Sequence, residues 1–229
     1  MSLEFGVWSV ECGVWSVESG VVVSLRDDEK LRREKRRLRR ECKDRAAKLT
    51  DAYRREADGA MREKLLQSEL WRSASGVFLY VSVQNEPDTR ALIEDALGEG
   101  KRVYVPLCCA EHVMKAVRIR SLTELRPGVL GIPEPTADSE TAEMADLDLA
   151  VVPCVTATRG GDRLGHGAGY YDRFLQGYPC KTLCLCYEAM LSETVPVDGY
   201  DAPMDYVLSE RACCQRHEEE RPVCSLQSF

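Results

Sequence analysis

The sequence predicts an α/β fold: a single domain built on one open, mostly parallel sheet flanked by helices. Three observations carry that expectation. Short apolar runs rich in β-branched residues alternate with helical segments along the chain. One such run, residues 147–153, leads into a segment crowded with glycine that ends where residues 170–175 read as the first turns of a helix. The 229 residues, 44% of them hydrophobic, suffice for one substantial core.

Residues 1–25 contain no Lys or Arg, which argues against a secretory signal and against an Arg-rich transit peptide and favours a cytoplasmic protein. They hold two tandem Gly-Val-Trp-Ser-Val-Glu units, starting at Gly6 and Gly13, too few to build a solenoid. They read as an N-terminal extension (1–25) ahead of the α/β domain (26–210) and a C-terminal tail (211–229). Residues 26–48 carry twelve Lys or Arg against six Asp or Glu in a chain whose formal net charge is −7. A basic segment on an acidic protein signals a local anion site or a nucleic-acid arm. At about 100° per residue, Leu31, Leu38, Cys42, Leu49 and Tyr53 fall on one apolar stripe. Lys35 lies inside it and Arg39 on its margin, whereas Arg32, Arg33, Arg36, Arg37 and Arg40 point elsewhere. A lysine on a packed face either meets an anion there or snorkels to water.

A second helix is expected over residues 59–74, then strands at 77–83, 102–106, 147–153, 182–187 and 206–208. A helix at 89–97 ends against Gly98 and Gly100. Residues 113–119 suit an edge strand, and the Pro and Gly of 125–135 forbid a long helix there. No apolar stretch approaches the roughly 20 residues that span a bilayer. The eleven cysteines are odd in number and scattered, which suits reduced thiols rather than a disulfide framework. Cys180, Cys184 and Cys186 lack zinc-knuckle spacing and read as small buried hydrophobes.

The chemistry concentrates in Gly161-Asp162-Arg163-Leu164-Gly165-His166-Gly167-Ala168-Gly169-Tyr170-Tyr171-Asp172. Alternate glycines leave backbone N–H groups free to approach an oxyanion, Arg163 adds a permanent positive charge, and Asp172 offers a hard oxygen to Mg²⁺ on a bound polyphosphate. The spacing is neither that of a Walker loop nor a GxGxxG fingerprint. The competing reading is a tight turn and nothing more. Glu86, past the end of the first expected strand, sits where open α/β sheets bind ligands, or else serves as a helix cap. Tyr170 and Tyr171 suit one ring facing a flat ligand and one facing the core. Asp201 and Asp205 either join Asp172 around a metal or cap a turn.

With these pieces placed, residues 30–210 resemble the 5-formyltetrahydrofolate cyclo-ligase (5,10-methenyltetrahydrofolate synthetase) family. The resemblance rests on Lys35-x-x-Leu38-Arg39 with Lys43 and Arg45, on Ser82-Val83-Gln84-Asn85-Glu86, on the Arg163 to Asp172 signature, and on Gly131-Ile132-Pro133-Glu134-Pro135 and Val195-Pro196. It implies a NagB/RpiA/CoA-transferase-like sheet and an ATP- and Mg²⁺-dependent ligase that closes 5-formyltetrahydrofolate, with or without a polyglutamate tail, to 5,10-methenyltetrahydrofolate. The formyl oxygen is phosphorylated and N10 then displaces phosphate, so alignment and charge neutralisation carry the catalysis without a protein nucleophile. Carried over residue by residue, the resemblance assigns Lys35, Arg39, Arg163, Leu164, Gly165, His166, Gly167, Ala168, Gly169, Tyr170 and Tyr171 to ATP. It assigns Val81, Glu86, His166, Gly167, Gly169 and Tyr170 to the folate, Asp172 and Asp201 to Mg²⁺, and Arg163 and Tyr171 to catalysis. It implies a cytoplasmic monomer that engages neither nucleic acid nor membrane. The chain makes three departures from the family pattern: the pair Ala157-Thr158, Ala168, and Met190. Ala157-Thr158 and Ala168 motivate an alternative, a folate- or nucleotide-binding homologue with weakened turnover; the Arg-rich helix motivates another, an RNA-binding module.

Overall fold

A computed structural model describes residues 25–128, 131–136 and 140–216. The tandem repeat and most of the expected extension lie outside these residues. Helix α1 (Leu25–Ala46) has Asp27 and Asp28 in its first turn and Lys43 and Arg45 in its last, the charge order that suits a helix dipole. It stops at Ala46. Thr50 then caps α2 (Asp51–Gln67) by accepting from the Tyr53 N–H. The single stripe expected through Leu49 and Tyr53 is therefore corrected: Leu49 lies in the connection and Tyr53 in the next helix, which begins at Asp51 rather than residue 59. Ala57, Met61 and Leu65, one turn apart, bury the inner face of α2. Ser68 breaks it and caps α3 (Glu69–Ser73), whose Trp71 is fully buried and donates from Nε1 to Glu99 at 2.9 Å.

Strand β1 (Gly76–Leu79) follows, then α4 (Arg90–Gly98), β2 (Arg102–Cys108) and β3 (Met114–Ile119). The expected strand 77–83 ends early because the chain turns out of the ladder after Leu79, with the Ser82 N–H bonded to Thr89 Oγ1 at 3.1 Å. The irregular stretch 125–135 contains a minimal ribbon, β4 (Arg126–Pro127) with β5 (Pro133–Glu134). Then come β6 (Leu149–Val152), β7 (Thr156–Ala157), β8 (Arg163–Leu164), α5 (Tyr170–Gln176), β9 (Lys181–Leu185), β10 (Tyr206–Leu208) and β11 (Cys213–Gln215). The strand before the glycines thus does not feed directly into a helix. A two-stranded ribbon of β7 and β8 intervenes and places Arg163 and Leu164 in a strand. Gly161, at φ +95, closes this ribbon, and a Cβ there would lie 2.3 Å from the Met204 carbonyl oxygen.

The main sheet has the order β11-β10-β9-β6-β1-β2-β3. Its central strands are parallel, and β3 and β11 close the two edges antiparallel. The sheet continues past residue 210, where the tail was expected to begin, because β11 pairs with β10. β1 and β6 are fully buried, as strands covered on both faces must be. From β1 the chain runs to β2 on one side, while β6, β9 and β10 build outward on the other, so the order reverses between β1 and β6. A crevice opens outside the carboxyl ends of strands at such a reversal. Among the described residues, no helix is long and apolar enough to cross a membrane.

Candidate active site

The chain leaving β1 and the chain leaving β6 form the two lips of this crevice, and α1 lies across it. A cavity of about 320 Å³ is lined by Arg39, Cys42 and Lys43 of α1, by Glu86 and Pro87 after β1, by Cys154 and Val155 after β6, and by His166 and Met190. A neighbouring hollow of about 720 Å³ shares Glu86 and Tyr187 with it and reaches Arg54, Asp58 and Arg90.

Lys35 and Arg39, one turn apart on α1, both point inward. Lys35 Nζ contacts Asp198 Oδ2 at 2.7 Å and Asp201 Oδ2 at 2.6 Å, with its side chain 12% exposed. Arg39 Nε donates to the Gly165 carbonyl at 2.8 Å. Its guanidinium lies so close to Gly167 that a Cβ there would stand 3.3 Å from Cζ, and Gly167 itself has φ +110. Burial is the largest influence on Arg39 and lowers its pKa; the fields of Asp201 and Asp172 oppose it. Arg32, Arg33, Arg36, Arg37 and Arg40 are exposed. Two of them are paired along the helix, Arg33 with Glu29 and Arg37 with Glu41.

Arg163 behaves differently from the loop arginine that the sequence suggests. Its side chain is 2% exposed and pairs with Asp172, which also accepts from the Ala202 N–H at 3.3 Å. Its Nε is buried and has no hydrogen-bond partner. Asp172 and Asp201 are thereby brought to one place, each beside a cation. Across the crevice, Glu86 accepts from the Val83 N–H at 3.0 Å, and its other oxygen lies 3.2 Å from His166 Nε2. Thr89 makes no side-chain cap bond to α4, and the Arg90 N–H in its first turn donates to Asp88 Oδ1 at 3.0 Å.

Residues 31–210 match the 5-formyltetrahydrofolate cyclo-ligase family. The chain belongs to this family. It is 31% identical over 156 residues to a probable 5-formyltetrahydrofolate cyclo-ligase of Schizosaccharomyces pombe, covering 61% of this chain and 76% of that one. It is 28% identical over 180 residues to the 5-formyltetrahydrofolate cyclo-ligase of Haemophilus influenzae, covering 76% and 96%. The fold superimposes on the Aquifex aeolicus 5,10-methenyltetrahydrofolate synthetase with a TM-score of 0.71 at 27% identity, over 82% of this chain and 95% of that one. The synthetase of Mycoplasma pneumoniae, 18% identical, shares the fold with a TM-score of 0.63 over 77% and 99%. The expected family and the expected α/β sheet are both borne out.

Within this cyclo-ligase fold, the residues singled out by sequence divide into two groups. Arg39, Glu86 and His166 line the smaller cavity; Gly165 and Gly167 lie against Arg39, and Lys35, Asp201 and Asp172 gather beside it. Val81 and Leu164 are 2% exposed and belong to the core cluster and its surroundings. Tyr171 packs edge-on to Phe78, and its hydroxyl is pushed far up, by burial first and by Glu86 second. Tyr170 lies edge-on to His112, with ring centroids 5.4 Å apart. Ala168 offers its carbonyl to Arg173 at 2.7 Å, beside Gly169 at φ +68. Of the departing positions, Met190 lines the smaller cavity, whereas Ala157 is fully buried in β7 and Thr158 borders a separate hollow.

Sequence reasoning missed Asp198 and Tyr187. Asp198 opens the turn Asp198-Gly199-Tyr200-Asp201, and the Asp-Gly pair was a legible turn signal. Tyr187 lines both hollows and donates to Asp58 at 2.8 Å; nothing in its local sequence marks it.

Proposed function

We propose that this chain catalyses the ATP-dependent cyclisation of 5-formyltetrahydrofolate to 5,10-methenyltetrahydrofolate, releasing ADP and phosphate. The observation that carries the reading is the meeting of Lys35, Arg39 and the 165–169 loop opposite Glu86 at the sheet's switch point. An N-formyl amide is a poor electrophile, so its oxygen must become a leaving group before N10 can close the ring. That chemistry needs alignment and charge neutralisation more than it needs a base or nucleophile. Lys35 and Arg39 supply fixed positive charge on the wall formed by α1. The positive φ angles at Gly167 and Gly169 let the loop backbone lie close to a ligand without a Cβ in the way. Glu86 is placed to accept hydrogen bonds from the amino and ring N–H groups of a pterin. Arg163 holds Asp172 in position from behind the loop.

Asp172 and Asp201 are the residues that would hold Mg²⁺. The Asp172 carboxylate accepts from the N–H of Ala202, the residue that follows Asp201, and such a pair fits the usual mode of Mg²⁺, in which one or two protein carboxylates are completed by phosphate oxygens and water. Among the described residues no group of three or more His, Cys, Asp or Glu is gathered as a cation cage, so the nucleotide would supply the rest. When bound, Mg²⁺ would neutralise phosphate charge. We place the protein in the cytoplasm as a monomer acting on a small-molecule folate.

The test is a spectrophotometric assay of the purified chain with 5-formyltetrahydrofolate and Mg-ATP. Growth of methenyl absorbance dependent on both substrates supports the reading. Folate and nucleotide binding without that signal favours a homologue with weakened turnover, to which Met190 in the cavity wall points.

A further inference from the structure

Lys35 is held by more negative charge than it can balance. Two carboxylates, Asp198 and Asp201, contact one ammonium at 2.7 and 2.6 Å. The turn that carries them is internally fixed. The Asp198 N–H donates to Asp201 Oδ2 at 2.7 Å, and Asp198 Oδ1 accepts from the Tyr200 N–H at 2.9 Å. Burial alone would raise the Asp198 carboxyl, yet Lys35 and the backbone N–H groups of Tyr200 and Asp201 hold it below the ordinary carboxylate range. Two of the three ammonium donors are thus taken up by carboxylates, and any phosphate that reaches Lys35 meets both of them there. Asp201 has a further role under the reading above, as a metal ligand beside Asp172. Asp198 has none, and among the described residues Lys35 is the cation it pairs with.

Resting on that reading, we propose that Asp198 is a built-in counter-ion that competes with the nucleotide's phosphates for Lys35, and so sets how readily ADP leaves. In the nucleotide-free chain it holds the ammonium at the mouth of the crevice. With phosphates bound, its unpaired carboxylate faces them as a like charge, which weakens both ATP and ADP. On release it re-forms the ion pair and the crevice returns to its resting arrangement. This role is distinct from that of a metal ligand or a scaffold residue, because its removal strengthens binding instead of weakening it.

The experiment is isothermal titration of the full-length chain with MgADP and with MgATP, comparing wild type with Asp198→Asn. The amide keeps the acceptor for the Tyr200 N–H and removes the charge. Asp198→Ser is the second variant; its hydroxyl can hold the same turn. We expect both nucleotides to bind about three- to tenfold more tightly in both variants, since a unit like charge a few ångströms from the phosphates in a partly wetted site acts on that scale. The KM for ATP is expected to fall while the KM for folate stays unchanged. Equal or weaker nucleotide binding in both variants, with their melting temperatures near wild type, overturns the proposal. If the wild-type chain binds neither nucleotide, the cyclo-ligase reading fails and this inference falls with it; if wild type binds and the variants do not tighten, the inference alone fails.

Discussion

Lys35 and Asp172 each contact an oppositely charged side chain, but the surroundings of the two pairs differ, and so do the expected consequences of breaking them. Lys35 is 12% exposed and its partners Asp198 and Asp201 are 35% and 20% exposed, so water can take over when the ammonium is removed. We expect Lys35→Ala to keep its fold, with a melting temperature within a few degrees of wild type, and to lose about 10²- to 10³-fold in kcat/KM, the scale on which removing one preorganised charge-stabilising group acts. Calorimetry and the methenyl absorbance assay check the two halves. Asp172→Asn differs. Arg163 beside it is 2% exposed and would be left as a buried charge without a counter-charge. An asparagine oxygen still accepts one hydrogen bond, so we expect destabilisation of about 1–3 kcal/mol together with loss of activity. A melting temperature equal to wild type would contradict this.

The pH response of the Lys35 cluster follows from its two shifts. Burial opposes the charge on Lys35, but Asp198 and Asp201 outweigh it and raise its pKa, so its contribution is complete below about pH 10.4 and is lost as pH rises through the higher folded value. Asp198 is shifted down, so its contribution is present above about pH 3.9 and is lost as pH falls through the lower folded value. Between these limits the tie should not titrate. A melting temperature for wild type minus Lys35→Ala that is flat from about pH 5 to 9 is the expected result.

At the scale of elements, the join between α1 and α2 decides which face the cations present. Had one helix continued through Leu49 and Tyr53, Arg39 would sit on its margin; the break at Ala46 instead lets α1 lie across the crevice while Tyr53 packs near Tyr187, ring centroids 5.8 Å apart. Thr50 enforces the restart by capping α2 at 3.2 Å. Thr50→Ala should cost about 1 kcal/mol, read as a lower urea midpoint with an unchanged slope, and should leave the KM values for ATP and folate as they are. The element pattern was legible where hydrophobic period alone decides it. Val77, Val103, Leu149 and Leu183 mark strands that no other structure accommodates. It was not legible at Leu49, which keeps the stripe's phase while the hydrogen bonds of 47–50 end the helix. Nor was it legible at Tyr80 and Val81, apolar residues buried outside the ladder by the turn that Thr89 fastens. In the site, Lys35 and Arg39 stood out because charge on an apolar face is costly. For Arg163 the sequence shows the charge but neither its burial nor its pairing with Asp172.

The molecule as a whole joins a rigid sheet to a loosely fastened wall. β1, β6 and most of β9 are fully buried, so their amides can exchange only through large openings. α1 is attached otherwise. In its described part only Cys42 is fully buried, with Leu38 and Ala46 partly so, and the remaining ties are polar: Lys35 to the 198–201 turn, Arg39 to Gly165, Arg45 to the Leu191 carbonyl at 3.1 Å and to Ser192 Oγ at 3.0 Å. Such a helix opens at a free-energy cost well below that of global unfolding. A nucleotide gripped between Lys35, Arg39 and the glycine loop binds the docked form alone, and so must suppress that opening by its own binding free energy, about 2.7 kcal/mol at one hundred times Kd. Hydrogen exchange followed by mass spectrometry should therefore show the α1 peptides exchanging well ahead of those from β1 and β6 in the free chain, and slowing about a hundredfold at that concentration of Mg-ATP, while the sheet peptides change far less. Protection rising equally in α1 and in the sheet would mean that the helix does not open independently, and α1 would then be a fixed wall of the crevice.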